Sequence, residues 1–187
     1  ISQPVMLTRI DGHSCWVNQK AMKLSGLDVS INPPKGGDII NDCILIDNAM
    51  DPVQFVIPKP DEATVEKWIR LSLEIILPRG ITNVHDAWQD PITVKVLQKM
   101  AEKGELPIRV YGMLGSSYPK LLRQFFNAGH YQSGNYTIRS AKAFIDGAFG
   151  SSGAALLEPY SEDQNNCGLI LISNKEFKDL ARRCRDA

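Results

Sequence analysis

Residues 81–114 read ITNVHDAWQDPITVKVLQKMAEKGELPIRVYGML, and this stretch decides the fold. An apolar run over 81–84 precedes residues 91–103, where apolar side chains recur at helical spacing. Pro91 stands where a first helical turn tolerates proline, and Gly104 stands where helices end. A second apolar run, 108–114, follows at once. Two strands joined by a helix of this length imply parallel pairing with a crossover connection.

The rhythm continues outward in both directions. Upstream, Asp61 opens a segment with Val65, Trp68, Ile69, Leu73 and Ile76 on a helical stripe, ended by Pro78 and Gly80. Downstream, the pattern predicts a helix over 120–128 before Gly129 and a strand over 136–145. A short strand over 169–172 and a last helix ending near Cys184 complete it; Ser173 and Glu176 form a capping box for that helix. The alternation is that of an α/β protein, either a barrel or an open doubly wound sheet. Residues 1–60 differ. They offer a short strand over 5–10, a helix over 17–24 ended by Gly26, and then a stretch rich in Pro, Gly, Asn and Asp. We expect a small separate subdomain over 1–60 and the α/β part over 61–187.

With 187 residues, 43% of them hydrophobic, the chain can build a substantial core. Lys and Arg number 21, as do Asp and Glu, so net charge favours neither nucleic acid nor an anionic membrane surface. No stretch approaches the length of apolar sequence that a membrane-spanning helix needs. Cys15, Cys43, Cys167 and Cys184 are far apart, without the close spacing of a zinc or redox pair. Reduced thiols and a cytoplasmic setting are the expectation.

Three histidines, His13, His85 and His130, are the first candidates for chemistry, but none stands two or four residues from another, so spacing alone places no metal site. His130 lies in a turn-forming loop and reads as solvated. His85 and Asp86 come directly after an apolar strand, at the C-terminal end where α/β proteins put their active sites. Adjacent strand residues point to opposite faces, so a regular strand cannot aim both inward. Lys142 lies inside the predicted strand over 136–145, between Ala141 and Ala143. An amine on a central strand needs a partner, a modification or a polar cavity, unless its stem packs and its head reaches water. The loop from Asp146 to Gly153 is rich in glycine and serine but matches no phosphate-binding or nucleophile-elbow pattern. Near the start, Arg9, Asp11 and His13 share one face of any extended stretch, as a cavity cluster or an ion-paired surface would.

Taken in order, five segments carry a resemblance. They are Arg9 to His13 with Trp16-Val17-Asn18, Gly36-Gly37-Asp38, Gly80 to Ala87, Lys142 to Ser151, and Leu157-Glu158-Pro159-Tyr160-Ser161. Together they resemble the predicted TIM-barrel metal-dependent hydrolases of the amidohydrolase superfamily, and within it the branch containing N-substituted formamide deformylases. The resemblance implies that the stretches over 81–86, 108–114 and 136–145 are barrel strands two to four, a partial (β/α)8 barrel. It further implies that residues 1–60 are an inserted α+β subdomain. Lys142 would be a carboxylated lysine bridging two divalent metals, zinc by preference, and a metal-bound water would attack a C–N bond of a small amide. Asp11, His13, His85, Asp86 and Asp146 become candidates for the substrate side.

The departures are equally specific. No H-x-H pair precedes Ile81, and the further histidine and aspartate ligands would fall after Ala187. The expectation is therefore an internal fragment of a longer enzyme, inactive and without stoichiometric metal when isolated, prone to self-association through open barrel edges. The competing readings are an autonomous binding or regulatory domain and, ranked lower, a barrel that uses Lys142 as a Schiff base.

Overall fold

The computed structural model describes residues 2–27, 33–34 and 36–187. Its contacts divide the chain into two compact units, one of residues 1–59 with 148–168 and the other of residues 60–147 with 169–187. One boundary between the units falls between Lys59 and Pro60. Residues 148–168 group with the first unit, which a single cut does not anticipate.

In the first unit, β1 (Met6–Thr8), β2 (Ser14–Val17), β3 (Gly37–Ile40) and β4 (Ile44–Asp47) form an antiparallel sheet in the order β1-β2-β4-β3. Helix α1 (Gln19–Ser25) is capped by the Asn18 side chain and closed by Gly26 in the left-handed conformation. Helix α2 (Asp51–Val56) follows the sheet. Cys15, Val17, Leu45, Met50 and Val53 bury themselves together as this unit's core. Val17 thus belongs to a strand rather than to the start of a helix. The stretch expected to be irregular holds two strands, and its residues 28–32 and 35 lie outside the described residues.

The second unit carries the α/β rhythm. Helices α3 (Glu62–Ile76), α4 (Pro91–Glu102), α5 (Pro119–Ala128) and α6 (Asn174–Asp186) accompany β5 (Asn83–Gln89), β6 (Arg109–Gly115), β7 (Tyr131–Ser133) and β8 (Tyr136–Lys142). The sheet order is β5-β6-β8-β7; β5, β6 and β8 are parallel, and β7 returns antiparallel to β8. Val84, Val110, Leu114, Tyr136 and Ile138 pack one face of the sheet against Val65, Leu73, Leu97, Met100, Leu122 and Phe125 of the helices.

Several boundaries differ from the sequence pattern for local reasons. Strand β5 starts at Asn83, not Ile81, because the N–H groups of Gly80 and Ile81 still bond to the carbonyls of Leu77 and Ile76 in the closing turn of the helix. Strand β8 stops at Lys142, where its β6 partner also ends at Gly115. The expected strand over 169–172 reduces to a single antiparallel bridge between Ile170 and Asp146, with the Leu171 N–H donating to the Ile145 carbonyl at 2.8 Å. The capping box is present as read. Ser173 and Glu176 each accept from the other's backbone N–H, at 3.2 and 2.8 Å.

Candidate active site

The helix-free face of the second sheet gathers the groups with chemical potential, and strand register determines which they are. Side chains of Tyr136 and Ile138 pack toward the helices, so unbroken alternation along β8 would send Lys142 there as well. Instead, pairing passes from Gly112↔Ile138 to Met113↔Ser140, which leaves one extra β8 residue at Arg139. This bulge reverses the parity. Ala141 now packs with the helices, and Lys142, paired with Gly115, takes the open face at the C-terminal end of the strands. Its Nζ sits 4.8 Å from the centre of the Phe144 ring, a cation–π distance.

Next to Phe144, Trp88 and Tyr118 complete an aromatic cluster at the ends of the three parallel strands, Tyr118 packing also against the helix-side core. Trp88 packs on Phe144 with ring centres 5.0 Å apart, and on Tyr118 at 6.4 Å. Gly115 makes the arrangement possible. A Cβ there would come within 3.0 Å of both the Trp88 and Tyr118 rings. Further down the same face, His85 pairs across the sheet with Tyr111, their rings 5.1 Å apart.

Asp86 shares the helix-side parity of Val84, so the two adjacent candidates of the HDA sequence separate onto opposite faces. There Asp86 accepts from Gln89 Nε2 at 2.9 Å, and Gln89 Oε1 accepts from the Tyr136 hydroxyl at 2.6 Å. Gln89 is 0% exposed. Burial, reinforced by the nearby Asp86 charge, pushes the Tyr136 hydroxyl far above its usual range and keeps it a donor. A second register shift, between Asp86 and Gln89, accommodates this chain of bonds.

Asp146 stands at the bridge to Ile170, just beyond β8. The serine- and glycine-rich loop that follows is wound into a 3-10 turn over Phe149–Ser151, and Asn166 Nδ2 donates to the Ser152 carbonyl at 3.0 Å.

Within the first unit, Arg9 and Asp11 form a two-pronged ion pair on the β1–β2 loop, at 2.8 and 2.6 Å. The guanidinium holds the Asp11 carboxyl down to about 2. Asp11 also accepts from the His13 N–H at 3.1 Å. His13 Nδ1 lies 2.8 Å from Asp47 Oδ1, and the Asp47 N–H donates to the His13 carbonyl at 3.1 Å. Asp47 has a positive φ of 45° with ψ −119°, a conformation disfavoured for a non-glycine residue. This His–Asp pair spans 34 residues, and no local pattern in the sequence announces it.

Among the described residues, no three His, Cys, Asp or Glu side chains gather closely enough to hold a metal ion. Lys142 alone does not make a metal centre, and these residues by themselves do not fit one. Of the residues singled out in the sequence, Lys142 and His85 share the helix-free face, where Trp88, not singled out, also lies, while Gln89 is buried on the helix side. Gly112 and Gly115, glycines inside a strand, were the available signal of a close approach, and both mark one here.

Comparisons with known proteins agree with the resemblance at the level of the amidohydrolase superfamily. A family model described as Amidohydro_3, amidohydrolase family, matches residues 2–187. The Bacillus subtilis (strain 168) protein YtcJ, which carries the name of an amidohydrolase, is 26% identical over 196 residues, covering 98% of this chain and 36% of its own length. Protein LONG AFTER FAR-RED 3 of Arabidopsis thaliana is 30% identical over 199 residues, covering 95% and 33% respectively. The chain thus spans about a third of the length of these curated relatives. Crystal structures of uncharacterized metal-dependent hydrolases from Pyrococcus horikoshii OT3 and Pyrococcus furiosus superpose with TM-scores of 0.74 and 0.72 at 22% identity. Each covers 99% of this chain, which in turn covers 38% and 39% of theirs, and the likeness is one of fold.

Proposed function

Because the chain belongs to the amidohydrolase family, whose model spans residues 2–187, we propose that it is a segment of a metal-dependent hydrolase that cleaves a C–N bond of amide or formamide type. In this reading β5, β6 and β8 are successive strands of a partial (β/α)8 barrel, the first unit is an insertion, and Lys142 is a carboxylated ligand shared by divalent metals. The observation that carries it is the position of Lys142. A bulge turns this one lysine onto the helix-free face at the C-terminal end of three parallel strands, where barrels hold their active sites.

A bound divalent ion, zinc by preference, would lower the pKa of a water and polarise the carbonyl. The remaining ligands would come from parts of the longer protein outside these residues. What this chain supplies is one donor, its placement by the bulge, and the aromatic surroundings. The resemblance to N-substituted formamide deformylases supports a formamide-type substrate.

The test uses the full-length protein. We expect it to bind divalent metal and hydrolyse at least one member of a panel of formamides, acetamides and ureas. Lys142→Ala should lower metal content and reduce kcat/KM by about 100-fold or more. Full activity and metal content in Lys142→Ala, or hydrolysis that persists unchanged after exhaustive chelation, would sink the proposal.

A further inference from the structure

We infer that the outer face of the first unit's sheet is a docking surface for a segment of the longer protein, apolar along its middle and carrying lysine or arginine beside it. The surface follows from the sheet itself; that its occupant belongs to the same protein rests on the reading of this chain as part of a longer hydrolase.

A sheet that covers one core and faces water on its other side alternates apolar and polar residues along each strand. These four strands do not. Inward, Cys15, Val17 and Leu45 are core, with Met6 and Ile39 packed against it. The residues between them turn to the other face. There the register aligns Leu7 with Trp16, Trp16 with Ile44, and Ile44 with Ile40. An unbroken apolar row thus crosses all four strands, about 14 Å at the usual strand spacing, long enough to seat a chain segment. Trp16 is 61% exposed, Leu7 60% and Ile40 40%. In water such a row is unfavourable until something covers it.

Charge narrows the occupant. Strands β1 to β4 contain no Lys or Arg. Asp38 lies on the outer face two residues before Ile40, and Asp42 stands in the turn that joins Ile40 to Ile44. Neither carboxylate forms an ion pair among the described residues, whereas Arg9 is already bonded to Asp11 and His13 to Asp47. A second copy of this chain would bring the same carboxylates against them, and like charges facing each other repel. An apolar segment with a basic flank matches both the row and its border. The chain spans 36% and 33% of the length of its curated relatives, so a protein of their length has residues to supply one.

The experiment reads the accessibility of Trp16 in the purified full-length protein by hydroxyl-radical oxidation and mass spectrometry. Trp16 should be oxidised at least about tenfold more slowly in the native protein than after unfolding in urea. A native rate within about twofold of the unfolded one, as a side chain 61% exposed would give, overturns the inference. Asp38→Lys combined with Asp42→Asn should raise the native rate about threefold or more, because a like charge then meets the basic flank; an unchanged rate would show that no such flank is there and overturn it as well. A photoreactive leucine analogue in place of Leu7, in a mixture of isotope-labelled and unlabelled protein, identifies the source. Crosslinks within one chain to residues outside these 187 support the inference. Crosslinks between labelled and unlabelled chains, which would mean a second copy, or crosslinks confined to residues 1–187, overturn it. The mass of the full-length protein separates the inference from its premise. A natural chain no longer than these 187 residues would end the segment reading and the inference together, whereas a longer chain with rapidly oxidised Trp16 would end the inference alone.

Discussion

At the scale of single residues, Gly112 is tightly constrained. A Cβ there would lie 2.1 Å from Gln89 Oε1, a side chain that is fully buried and bonded to both Asp86 and Tyr136. Gln89 cannot swing away without leaving the Tyr136 hydroxyl unpaired in the core. We therefore expect Gly112→Ala to destabilise the second unit by about 1–3 kcal/mol in denaturant unfolding. The loss should be markedly non-additive with Gln89→Ala, whose shortened side chain makes room for the methyl group. Additive losses would mean that the clash is relieved elsewhere. Asp11 makes a different prediction. Its carboxyl is held down to about 2 by Arg9. A depressed carboxylate contributes stability that is fully present above its unfolded value of about 3.9 and is lost as the pH falls through its folded one. Carbon-detected NMR titration should find Asp11 still ionised at a pH where free aspartates are half protonated, and Arg9→Gln should return it toward the ordinary value. Salt should weaken the effect, since both partners face solvent.

At the scale of elements, α6 depends on its ends. None of its residues is fully buried, so packing contributes less to it than to α4, which buries five. Ser173→Ala breaks the capping box and should cost about 1 kcal/mol, seen as faster amide hydrogen exchange in the first turn of α6 while α4 stays protected. Uniform exchange across both helices would show instead that α6 is held by something other than its cap. Helices such as this one were legible in the sequence because their signals are local: Asp61, Pro91, Gly104, Ser173 and Glu176 each stand at or beside a boundary. The βαβ order around them was legible for the same reason. Strands were less so. Ile81 looks like the start of a strand yet bonds back to Ile76, and the bulge at Arg139, which puts Lys142 on the open face, leaves no mark on a hydrophobic pattern. The antiparallel sheet of the first unit escaped notice because its strands run only three or four residues and pair across long separations, as Ser14 does with Ile46. Partners at such distances, His13 with Asp47 or Gln89 with Tyr136, are set by tertiary packing and not by neighbouring sequence.

At the scale of the whole molecule, the surface of the second unit is informative. Trp68, Leu71 and Ile75 lie three and four residues apart on one stripe of α3, and they are 54%, 45% and 58% exposed although Val65 and Leu73 of the same helix are buried. Beside them, β5 ends the sheet order and has only β6 as a partner among the described residues, which leaves one backbone edge open to pairing. An exposed apolar stripe next to an unpaired edge is a combination that drives association in water. We therefore expect this chain, expressed as these 187 residues, to self-associate, with a sedimentation coefficient that rises with concentration. Replacing Leu71 and Ile75 by glutamate should shift it toward a monomer without loss of helix content, since exposed positions tolerate polar residues at small cost to stability. A charge placed on the open edge, such as Asn83→Lys, should act in the same direction through a different surface. If both sets of variants must be combined before the monomer appears, stripe and edge each contribute a contact. A wild-type chain that remains monomeric at every concentration would show that the stripe and edge are too weak to recruit a partner, and that the 187 residues satisfy their own apolar surface.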